Sequence, residues 1–152
     1  PKHFLSWSNN LTWRNFDLSV FFRGTFGFDV FNMRKYGMGL QGCGTDNVLR
    51  SAYLEDKNIR TGGGVISSYF LEDGSFIKLE NVTLGYNFTP KNRKLLDNMH
   101  IYLSAKNLFT LTGYSGNDPS IIDVNGIQPG VDSNSAYPTA TQLSLGVTLR
   151  FK

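Results

Sequence analysis

The feature that most constrains the fold is the last stretch of the chain, residues 141–152. Apolar side chains stand at Leu143, Leu145, Val147, Leu149 and Phe151, separated by Gln142, Ser144, Gly146, Thr148 and Arg150. A strict period of two puts all five apolar side chains on one face of an extended strand. Tilted by about 45°, five successive positions on one face span roughly 20 Å, close to the apolar band of about 25 Å on a membrane-spanning β-barrel. A strand of this kind has to sit in a sheet with one face apolar along its whole length.

Composition does not decide the class. Forty per cent hydrophobic and 14% aromatic residues in a chain of 152 suit a soluble domain. They also suit a transmembrane barrel, where polar positions facing the lumen dilute the apolar ones facing lipid. No run of about 18 apolar residues exists, so no transmembrane helix is predicted. The chain starts at Pro1 without a leader, which reads as a fragment or a processed product. The net charge of +3 comes from scattered basic residues, with one cluster at Lys91, Arg93 and Lys94. A nucleic-acid binder would carry a basic stripe, and none is present. The single Cys43 excludes an internal disulfide framework and a cysteine zinc site.

Periodicity predicts four more strands. Residues 4–13 alternate imperfectly, with Leu5, Trp7, Leu11 and Trp13 on one parity. After the two-residue turn Arg14-Asn15, residues 16–26 alternate Phe16, Leu18, Val20, Phe22 and Phe26 against Asp17, Ser19, Arg23 and Thr25. Trp7, Trp13, Phe16 and Phe26 lie near the strand ends, where interfacial aromatic girdles form. The third strand, residues 75–88, carries a conflict. Val82, Leu84, Tyr86 and Phe88 share one parity, but Ile77 and Leu79 share the other. A continuous strand would put Lys78 and Glu80 on the apolar face, so a one-residue bulge is predicted between Leu79 and Val82. A short connection at residues 89–94 and one helical turn at 95–98 lead to the fourth strand, 99–110. There Ile101, Leu103 and Ala105 oppose His100, Tyr102, Ser104 and Lys106. Residues 32–73 and 111–140 show no sustained period and read as two long loops, opposite the short turns. Long connections on one side and short ones on the other is the asymmetry of an outer-membrane barrel.

The predicted fold is therefore all-β: an antiparallel up-and-down meander of about five long strands, the C-terminal part of a transmembrane β-barrel. Residues 1–152 form one barrel portion, with no linker dividing them. The closing strand should pair with residues 99–110, leaving one open edge along itself and another along residues 4–13.

Residues 141–152 also carry Ser144-x-Gly146-x-x-Leu149-x-Phe151, which resembles the C-terminal assembly signal of bacterial outer-membrane barrels. Four further stretches resemble a family. Residues 75–88 (SFIKLENVTLGYNF) and 101–110 (IYLSAKNLFT) are similar to strand motifs near the C-terminus of SusC/RagA-type TonB-dependent outer-membrane transporters. Gly116-Asn117-Asp118-Pro119, then Tyr137-Pro138 and the closing strand, follow in the family's order. Ser120 stands where that family often has an acidic residue, and Lys152 follows the Phe that usually ends it.

The resemblance implies a barrel of about 22 strands around an N-terminal plug. It also implies a TonB complex reached through the N-terminal part, a SusD-like surface lipoprotein as lid, and the barrel assembly machinery as partner for Gly146, Leu149 and Phe151. The location it implies is the outer membrane, and the activity is uptake of oligosaccharides or peptides. Candidate contacts to ligand or lid are Tyr53, Tyr114, Asn117, Asp118 and Tyr137 in the two long loops.

Each of these contacts has a structural alternative. Asn117-Asp118-Pro119 also reads as an Asx-Pro turn pinning its loop, and the aromatics as loop packing. Asp123-Val-Asn125-Gly126 has its glycine too early for a calcium loop and lacks the distal Glu. Gly62-Gly63-Gly64 lacks the Lys-Ser/Thr of a phosphate cradle. His3 and His100 have no nucleophile motif beside them, so no catalytic residue, cofactor or metal is assigned. The competing fold is a soluble β-sandwich carbohydrate-binding module, whose alternation would face a core. Strands of a sandwich should be shorter, with turns every 8–12 residues.

Overall fold

The computed structural model describes residues 1–39, 47–50, 66–90, 96–120, 130–133, 137 and 139–151. They contain eight strands: β1 (His3–Trp13), β2 (Phe16–Phe26), β3 (Asp29–Asn32), β4 (Leu71–Asp73), β5 (Phe76–Phe88), β6 (Leu96–Thr112), β7 (Val131–Asp132) and β8 (Gln142–Phe151). One short helix, α1 (Met33–Met38), and a 3-10 turn at Ser68–Phe70 complete the set. The strands form a five-stranded sheet in the order β1-β2-β5-β6-β8 and a three-stranded sheet in the order β4-β3-β7. The five long strands are those that alternation predicts, in chain order, with β1 and β8 at the two edges. The chain divides into two compact units. One comprises Phe4–Thr25, Ile77–Leu111 and Thr139–Lys152, and the other Pro1–His3, Phe26–Phe76 and Thr112–Pro138.

In the first unit, period-two alternation segregates the two faces of the sheet. Register places Ile101 opposite Val147, Leu103 opposite Leu145 and Ala105 opposite Leu143. His100 opposite Thr148, Tyr102 opposite Gly146 and Ser104 opposite Ser144 fall on the other face. Aromatic contacts cross the strands on the apolar side: Trp7 on Phe22 at 5.7 Å, Phe16 on Tyr86 at 4.8 Å and Phe22 on Phe109 at 6.5 Å. Among the described residues that face is left open at several positions, with Leu145 73% and Leu103 51% exposed. A water-soluble sandwich would bury these positions against a second sheet.

The polar face explains the conflict in β5. Arg23 Nε lies 3.0 Å from Glu80 Oε2. Asn81 Oδ1 accepts from the Ser104 hydroxyl, which in turn accepts from the Thr83 hydroxyl. Arg23 shares the parity of Asp17, which reaches His100 on the polar face. Glu80, Asn81 and Thr83 therefore all reach partners of one face, so side-chain parity switches between Glu80 and Asn81, inside the interval where a bulge is predicted. Lys78 is 2% exposed and its Nζ donates to Thr139 Oγ1 at 3.1 Å, while Ile77 is exposed. Leu79, between Lys78 and Glu80, is buried.

The helical turn expected at residues 95–98 is not formed over its described part. Leu96 pairs with Phe151 and Asn98 with Arg150, leaving Asp97 as an extra residue in the ladder. That irregularity breaks the alternation, which is why sequence reading starts the strand late. The hairpin turn between β1 and β2 places Arg14 at φ 55°, a left-handed conformation tolerated at a tight two-residue connection.

Candidate ligand-binding cleft

The second unit takes in parts of both long loops, and it contains structure that periodicity does not reveal. Strand β3 pairs antiparallel with β4 (Phe31 opposite Leu71) and parallel with β7 (Asn32 opposite Asp132). Strands of two to four residues are too short to establish a period, and α1 spans less than two turns. The core is aromatic. Phe70 is fully buried, with Tyr36 edge-on at 5.2 Å and Phe31 at 6.0 Å, and Val30 and Tyr114 of the same unit are also buried.

Asn32 joins the sheet to the helix. Its Oδ1 accepts from the Lys35 amide at 2.8 Å, capping α1, and its Nδ2 donates to Ser115 Oγ at 3.2 Å. Glu72 on β4 fastens the same region. Its Oε1 accepts from Lys35 Nζ (3.0 Å) and the Ser115 hydroxyl (2.8 Å), and its Oε2 from the Ser115 amide (2.9 Å). Lys35 Nζ also lies 4.6 Å from the centre of the Tyr69 ring. Burial pushes the Glu72 carboxyl up, but the Ser115 hydrogen bonds and the Lys35 ammonium outweigh it. The carboxyl settles below its ordinary value.

A folded-state shift downwards stabilises above the unfolded value and is lost as pH falls through the folded one. We therefore expect amide hydrogen exchange in β3 and β4, corrected for intrinsic rates, to accelerate below the ordinary carboxylate value of 4.5. Glu72→Gln should weaken this acid response and cost on the order of 2 kcal/mol of local stability at neutral pH.

This framework borders an open cleft of about 270 Å³ lined by Arg34, Met38, Asn117, Asp132 and Ser133. Arg34 and Met38 come from α1, Asp132 and Ser133 from β7 and the residue after it, and Asn117 from the segment after β6. Arg34 Nη1 donates to Asn117 Oδ1 at 2.8 Å. Tyr114 donates its hydroxyl to Asp132 Oδ2 at 2.6 Å, and burial, followed by that hydrogen bond and the nearby acidic charges, pushes the Tyr114 phenol up. The phenol stays a neutral donor to Asp132.

Of the described residues proposed from sequence as ligand or lid contacts, only Asn117 lines this cleft. Tyr114 is 6% exposed and packs in the core, so its contribution is to hold Asp132. Asp118 is buried, and its Oδ1 accepts from the Ser120 amide (2.8 Å) and hydroxyl (2.6 Å), an Asx turn that pins the loop. Tyr137 is 93% exposed and does not line the cleft. Tyr53, Cys43, the triple glycine and the Asp123–Gly126 stretch lie outside the described residues. Arg34, Met38, Asp132 and Ser133 went unnoticed in the sequence because none belongs to a motif. Among the described residues no cluster of His, Cys, Asp or Glu is arranged to hold a metal.

No family model matches the chain. Among curated proteins, it is 26% identical over 172 aligned residues to a TonB-dependent receptor of Formosa agariphila, covering 99% of this chain and 16% of that protein. To the TonB-dependent receptor SusC of Bacteroides thetaiotaomicron it is 27% identical over 153 residues, covering 95% and 14%. The chain thus spans about one sixth of the length of these relatives. Among solved structures, it superposes on the RagAB peptide importer in its open-open state with a TM-score of 0.71 at 22% identity, covering 95% of this chain and 16% of that one. On the closed-closed state the TM-score is 0.68 at 23% identity, covering 91% and 16%.

Proposed function

We propose that this chain, a segment of a SusC/RagA-type TonB-dependent receptor, forms part of the barrel wall and outer surface of an outer-membrane importer of oligosaccharides or peptides. The observation that carries this reading is the five-stranded sheet. It has an apolar face whose described residues are largely exposed and a hydrogen-bonded polar face, the division required of a wall between lipid and an aqueous lumen. An open sheet edge in hydrocarbon leaves N–H and C=O groups unpaired at several kcal/mol each. Strands β1 and β8 therefore pair with further strands of the intact barrel. The function is transport, with a SusD-like lipoprotein over the outer surface, energy drawn through TonB, and insertion by the barrel assembly machinery. The family resemblance supports these partners.

The segments 32–73 and 111–140 lie outside the cell on this reading, and the short turns lie inside. Protease added to intact cells should cut within those segments and spare Arg14-Asn15 and residues 89–94. Cleavage confined to the short turns would invert the topology and sink the proposal.

A further inference from the structure

We propose that the cleft between α1 and β7 binds the C-terminal end of a peptide, with Arg34 taking its carboxylate and Asp132 an adjacent amide N–H. This rests on the reading of the second unit as part of an importer's ligand surface and deepens it. The described lining residues offer a cation, an anion and an apolar wall: Arg34, Asp132 and Met38. A guanidinium is a planar fork that matches a carboxylate bidentately. Its one described hydrogen bond, from Nη1 to Asn117 Oδ1, fixes the fork and leaves further N–H donors for a ligand.

Asp132 has Oδ2 engaged by Tyr114, and its other oxygen is an acceptor suited to an N–H. Met38 adds a deformable thioether wall for a side chain. Carboxylate, amide and side chain together describe a terminal amino-acid residue. A sugar-ring site would be expected to offer an aromatic platform, and none stands among the described lining residues. The residues are also held before any ligand arrives, which reduces the ordering cost of binding. Asn32 caps the helix that carries Arg34, the β3–β7 ladder places Asp132, and Tyr114 clamps it.

The test is titration of the purified intact transporter with Ala-Ala-Met as free acid, the same tripeptide as its C-terminal amide, and trigalacturonate as an acidic sugar. The free acid should bind at least tenfold more tightly than the amide. Arg34→Gln should abolish that preference, and Arg34→Lys should retain part of it by keeping charge without the fork. Equal binding of acid and amide, a preference unchanged in Arg34→Gln, no binding of either peptide, or Arg34-dependent binding of trigalacturonate alone would each overturn the inference. The importer reading would survive any of these, since it stands on topology and is tested separately by protease on intact cells.

Discussion

Gly146→Val is expected to reduce the amount of protein inserted in the outer membrane about five- to 150-fold, the factor set by overpacking of about 1–3 kcal/mol in a marginally stable fold. Tyr102 lies directly opposite Gly146 in the β6–β8 register. A Cβ added at Gly146 would overlap the Tyr102 ring, with Cε1 only 2.6 Å away and Cζ and the hydroxyl nearer still. The ring therefore uses the missing side chain as its seat, and from there it stacks on His100 at 5.6 Å. The same arrangement recurs one pair of strands away. A Cβ at Gly85 would collide with His100 Nε2 and the Asp17 carboxylate, which are themselves 3.0 Å apart.

The sequence assigns Gly146 to an assembly signal with Leu149 and Phe151, and the packing supplies a second reason for glycine. The double variant Gly146→Val/Tyr102→Ala separates the two, with inserted protein measured by heat-modifiable mobility of outer-membrane fractions. Recovery of insertion identifies the ring seat as the cause, and no recovery identifies recognition by the assembly machinery.

The second large effect is electrostatic. Leu145→Arg should cost roughly 2–4 kcal/mol of barrel stability, the depth-dependent penalty for a cation on the lipid face, and Ser144→Arg much less. These neighbours differ only in parity: Leu145 opposes Leu103 on the apolar face, and Ser144 opposes Ser104 on the polar one. Urea unfolding of the intact transporter refolded in lipid vesicles measures both variants. A similar loss for the two would mean that the faces do not see different solvents.

The long strands are legible in sequence because alternation over ten or more residues is self-consistent. One apolar face fixes the register, and a single slip would reverse every side chain. Even the irregularity in β5 is readable, because Lys78 and Glu80 fall on the wrong parity and a charge cannot be left in lipid. What is not legible is whatever is short or held by partners distant in sequence. Strand β7 has two residues and pairs with β3 about a hundred positions earlier, so no local window contains its signal. Tyr114 reads only as one of several loop aromatics until Asp132 is seen to accept its hydroxyl. Arg34 stands in a glycine-rich stretch without a motif. It becomes a candidate ligand contact only because capping by Asn32 and the hydrogen bond to Asn117 place it beside Asp132.

The central claim is that the five-stranded sheet separates lipid from water, and site-directed labelling of β8 reads this most directly. Single cysteines at positions 143, 145 and 147, and at 144 and 148, would be introduced into the intact transporter with Cys43→Ser. They would be exposed in membranes to a lipid-soluble maleimide and to a charged, membrane-impermeant one. The account predicts lipid-phase labelling at 143, 145 and 147, with 144 and 148 reached only by the aqueous reagent. Lipid-phase labelling at 144 and 148 but not at 145 and 147 would contradict it.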